Sequence, residues 1–121
     1  MIEVDHLPVV DVHAHPFLNR GAVTAEEFTD LTAFGGGSRT YLEEGGIAWS
    51  DEVRDELQQG KRNTLYFKRM ILDLARLFAV EPDVDAVMAA RNAAVAAGYT
   101  EYVSRLYGDA GLDTLVFDFG I

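Results

Sequence analysis

Six consecutive residues, Asp11-Val12-His13-Ala14-His15-Pro16, carry the plainest chemistry in the sequence. Side chains on a β-strand alternate faces, so residues two apart point the same way. On a strand, Asp11, His13 and His15 would share one face. Two neutral imidazoles at adjacent same-face positions can reach one cation. The second ring nitrogen of each then needs a partner that fixes the tautomer. Asp11 is placed to supply that outer contact. A His-x-His pair without context is a weak motif, since solvated histidines are common at strand ends. Here an apolar run precedes the pair and a proline follows it.

The element that must position these residues is a strand over 8–15. Its apolar, β-branched run, Pro8 to His13, suits a buried strand, and Pro16 ends it. Thr24 and Glu27 have the spacing of a capping box, opening a short helix to about Phe34. The Gly35-Gly36-Gly37 run breaks the chain, and Tyr41 to Ser50 shows no clear period. Ser50 can cap a helix from Asp51 to Gln59, stopped by Gly60. The strongest helix runs over about 63–78, where Phe67, Met70, Ile71, Leu74, Leu77 and Phe78 form one stripe. Asp83 caps an alanine-rich helix that ends at Gly98, and Thr100 caps another through Tyr107. A second strand is expected over 112–120. The chain then reads as one partial domain, 1–121, with a helical insertion at about 24–110. It shows no internal repeat and no low-complexity tract.

Composition excludes several classes. The 121 residues carry 10 Lys plus Arg against 20 Asp plus Glu, a net charge of −10. That balance argues against nucleic-acid binding and against docking on anionic lipid. No apolar run approaches the roughly 18 residues of a transmembrane helix. The N-terminus lacks the basic start of a signal peptide, so the cytoplasm is the expected compartment. With no cysteine, any metal must be held by His and carboxylate. Nor can 121 residues make a complete (β/α)8 barrel of about 250.

The segment Val9-Val10-Asp11-Val12-His13-Ala14-His15-Pro16 resembles the first-strand motif of the amidohydrolase superfamily. Those enzymes are metal-dependent barrels with His-x-His at the end of strand one. The stretches Thr64 to Met70 and Leu72 to Leu77 are similar to its amidohydrolase-related branch, and Leu115 to Gly120 resembles a second strand. The resemblance implies an α/β fold: the N-terminal portion of a TIM-type barrel, incomplete here. It implies that His13 and His15 ligate one divalent metal, most often zinc. It implies hydrolysis of a C–N bond in a small-molecule substrate by metal-activated water, or non-oxidative decarboxylation in some relatives. The family's remaining ligands come from later strands, which have no counterpart in this sequence. The chain alone is therefore expected to be inactive. Either a C-terminal part or another copy in a homo-oligomer is expected to cover the strand edges.

Other residues carry a second tier of expectations. Asp118 could face the metal from the second strand, or simply cap the following loop. Arg39 could bind a substrate carboxylate bidentately, or stand in solvent. The glycine run before it could form an anion nest or a surface loop. His6 lies out of phase with His13 and is read as solvated. Two other readings compete with the hydrolase. One is a helical interaction module in which the histidines are incidental. The other is a His-x-His phosphoesterase, although Phe17 stands where a further His would favour it.

Overall fold

A computed structural model of the chain describes residues 7–14, 20–32 and 38–117. Among them are six helices and two short strands: β1 Val9–Ala14, α1 Ala25–Thr32, α2 Ser38–Glu44, α3 Asp51–Arg62, α4 Leu65–Phe78, α5 Val84–Ala97, α6 Tyr99–Asp109 and β2 Leu112–Phe117. The chain divides into two compact units. One comprises residues 23–92, and the other 1–22 with 93–121.

The unit of residues 23–92 is helical, and local sequence explains most of its helix ends. The capping box forms reciprocally. Thr24 Oγ1 accepts from the Glu27 amide at 3.3 Å, and a Glu27 carboxylate oxygen accepts from the Thr24 amide at 2.8 Å. Ser50 starts α3 by accepting from the Val53 amide at 3.2 Å. Thr64 starts α4 by accepting from the Phe67 amide at 3.2 Å. Asp83 accepts from the amides of Asp85 and Ala86 at the head of α5. Each contact satisfies a donor that the first helical turn leaves open.

The core of this unit joins Val23, Phe28, Phe67, Ile71, Ala75 and Val87. Phe67 and Ile71 belong to the stripe read from the sequence, and Val87 places α5 against it. Polar contacts complete the packing. The Asn92 amide accepts from the Val23 N–H at 3.0 Å and donates to the Val23 carbonyl at 2.9 Å, as a neighbouring strand would. The fully buried Thr29 donates to the Ala25 carbonyl at 2.8 Å. Its hydroxyl accepts from Arg62 Nε at 2.9 Å, while Arg62 Nη2 reaches the Ala25 carbonyl at 3.1 Å. That network ties the end of α3 to α1.

In the second unit, β1 and β2 pair in parallel, with Val9 opposite Leu112, Asp11 opposite Leu115 and Ala14 opposite Phe117. Gly111, at φ 64°, turns the chain from α6 into β2, and its carbonyl accepts the Val9 amide at 3.4 Å. The left-handed conformation favours glycine there.

This architecture corrects the expected fold class. The described chain is mainly helical, with two short parallel strands, and is not the N-terminal portion of a TIM-type barrel. In an α/β barrel the parallel strands are buried on both faces. Here Val12 is 73% exposed, and Val9, Val10, Val116 and Phe117 are exposed as well. The helices of residues 23–92 spend their apolar stripes on each other. Three local differences accompany this. Helix α2 occupies part of a segment without a readable period. Gly60 does not stop α3, which runs on to Arg62. Gly98, with no side-chain cap, precedes α6 in place of Thr100. The second strand is described only to Phe117, and no described helix is long and apolar enough to cross a membrane.

Helix α4 closes on Ala79 in the left-handed region, at φ 57° and ψ 48°. The Val80 amide bonds the Ala75 carbonyl and the Ala79 amide bonds the Arg76 carbonyl, the pattern of a Schellman motif. Glycine is favoured at that position, because a Cβ there costs about 1 kcal/mol. Ala79→Gly should raise the urea midpoint by the equivalent of about 1 kcal/mol, less the entropy glycine gains on unfolding. A lowered midpoint would show that Ala79 is not held in this conformation.

Candidate metal centre

Strand β1 positions the motif. Its pairing with β2 shifts register twice, between Val9 and Val10 and again between Asp11 and Ala14. The second shift interrupts the strict alternation on which a shared face for Asp11 and His13 depends. The contact between them is local instead: Asp11 Oδ1 accepts from the His13 backbone amide at 3.0 Å. A carboxylate two residues back thus fixes the backbone that carries the imidazole. His13 is exposed near the C-terminal end of β1, and Asp11 is half-buried. His15 and Asp118 lie outside the described residues, as do His6 and Gly35 to Gly37. Among the described residues, no group of three His, Cys, Asp or Glu side chains could hold a metal ion.

Arg39 is placed, and its neighbours are specific. Its Nε donates to a Glu43 carboxylate oxygen at 3.0 Å, one helical turn along α2. Its guanidinium also lies 5.5 Å from the centre of the Trp49 ring. That cation–π contact covers one face of the guanidinium, while Glu43 takes the in-plane Nε–H edge, one of those by which a substrate carboxylate could bind. The contact spans ten residues across a turn, and no helical or strand spacing announces it.

A cleft of about 540 Å³ that no sequence motif marks lies in the helical unit, lined by Ala25, Glu26, Arg54, Asp55, Gln58 and Arg62 among others. Its cations already have anionic or carbonyl partners. Arg54 pairs with Asp51 at 3.2 Å and with Asp55 at 3.1 Å; the hydrogen bond it donates to Asp55, followed by the charge of Asp51, raises its pKa further. Arg62 is committed to Thr29 and Ala25. The spacing Asp51-x-x-Arg54 was the available signal for the first pair.

No protein family, curated protein or solved structure matches the chain. The resemblance to the amidohydrolases therefore rests on the sequence segments named above.

The Asp11 contact has a direct consequence. Asp11→Ala should speed hydrogen exchange at the His13 amide about fivefold, the equivalent of about 1 kcal/mol for one hydrogen bond. Unchanged exchange would mean that the carboxylate does not hold this backbone.

Proposed function

We propose that the chain contributes His13 and His15 to a divalent metal site of a metal-dependent hydrolase acting on C–N bonds. The observation that carries this reading is the pairing of the motif strand with an uncovered apolar sheet. Val10 is 52% exposed, Val12 73% and Val116 50%. A self-sufficient helical module would cover such residues; a segment that works within a larger assembly would present them to it.

The chain's own residues have separable roles in this reading. His13 supplies an exposed imidazole at the end of β1, and Asp11 holds the backbone beneath it. His15, two residues on, supplies the second nitrogen. A divalent cation such as zinc, held there, brings Lewis-acid chemistry: it acidifies water and polarises a scissile carbonyl. A catalytic zinc has three protein ligands and an open position. Two histidines fall short of that, so this chain by itself is expected to bind metal weakly and to turn over no substrate.

Isothermal titration with zinc, beside a His13→Ala/His15→Ala variant, tests the proposal. The expected dissociation constant is about 100 µM for a two-ligand site, with binding lost in the variant. Equal binding by both proteins would remove the metal site, and the hydrolase reading with it.

A further inference from the structure

The face of α4 opposite its buried stripe is not an ordinary solvated surface. Leu65, Lys68, Arg69, Leu72 and Arg76 recur there at three- and four-residue steps. A helix that packs on one side usually presents only polar residues on the other. Leu65 is 84% exposed and Leu72 is 54% exposed. Leu72 also borders a cleft of about 340 Å³ whose apolar lining comes from Phe67, Ile71, Pro82 and Val84, with Lys68 beside it. A single exposed leucine needs no explanation. Two leucines a heptad apart, beside an apolar cleft, match the anchor spacing by which one helix receives another.

Charge narrows the choice of partner. The chain is strongly acidic, with a net charge of −10. Among its described helices only α4 has more basic than acidic side chains: Lys68, Arg69 and Arg76 against Asp73. A face of opposite character lies in the same helical unit. In α2 and the turn after it, Tyr41 is 71% exposed and Ile47 is 47% exposed, with the exposed Glu44 between them. One patch is apolar with cations, and the other is apolar with an acid.

We infer that the α4 stripe of one copy docks on the α2 patch of a second copy. Tyr41 and Ile47 cover Leu65 and Leu72, and Glu44 faces Lys68. Two different patches meet, so the contact closes as a dimer where both engage at once, and otherwise adds copies head to tail. The overall negative charge opposes association at long range. Screening over about 8 Å at physiological salt leaves the local match in control. This inference is independent of the metal site.

Sedimentation velocity on the full chain from about 10 to 500 µM tests it over the range of weak protein contacts. The average mass should rise with concentration. Leu65→Glu and Lys68→Glu, both at exposed positions that leave the core intact, should each weaken association at least tenfold. Adding Glu44→Lys to Lys68→Glu should restore it, which a nonspecific apolar contact would not do. A monomer at every concentration would overturn the inference, as would association that Lys68→Glu leaves unchanged. Monomers that bind phosphatidylserine vesicles through this stripe would assign it to a membrane surface and overturn it too.

Discussion

The helical unit depends on one packing constraint: the stripe of α4 that faces the core is apolar, and it must be covered. Phe67, Ile71 and Ala75 are the buried residues of that stripe, with Phe67 only 1% exposed. Removing a phenylalanine-sized side chain from water stabilises by roughly 2–3 kcal/mol. Phe28 from α1 and Val87 from α5 are part of the cover. The polar links then follow from position. Once α1 lies in the core beside the end of α3, the Thr29 hydroxyl is buried and needs a partner, which Arg62 supplies. Asn92 does the same for the backbone of Val23. These bonds are worth less than the apolar burial, but a buried polar group left unpaired would cost about 1–3 kcal/mol.

The strand unit answers a different demand. Parallel pairing satisfies backbone groups along one edge of each strand, and Gly111 supplies the turn that brings β2 alongside β1. What pairing does not do is cover valines. A two-stranded sheet has little stability of its own in water. Its exposed Val10, Val12 and Val116 are the kind of surface that associates. The histidine of the motif thus stands on a strand whose backbone is organised and whose apolar faces are open. That combination connects the structure to the proposed role as part of a larger metal site.

Local chemistry was legible in the sequence; long-range cover was not. The Thr24–Glu27 box, the Ser50 and Asp83 caps and the Phe67–Ile71 stripe are short-range patterns, each with its own physical cause, and each is present. Gly60 misled because a helix interior tolerates one glycine at about 1 kcal/mol when neighbouring residues hold the helix. Helix α2 was not readable because seven residues cannot display two turns of apolar repeat. The barrel expectation failed for a deeper reason. An apolar, β-branched run such as Val9 to Val12 reads as a strand that something covers, and periodicity says nothing about whether the cover is in the chain. The cation–π contact between Arg39 and Trp49 was hidden similarly, since it forms across a turn. For the site itself, β1 includes His13 near its end, while the bond from the His13 amide to Asp11 is a local side-chain-to-backbone contact that strand alternation does not announce.

The proposed role requires that His13 and His15 take one metal together. Long-range proton–nitrogen spectra of the imidazoles, recorded as zinc is added, test this most directly. A shared site predicts that the ring nitrogens of His13 and His15 shift together with a single dependence on zinc, while those of His6 stay in place. Zinc-dependent shifts confined to other residues, or independent of one another at His13 and His15, would contradict it.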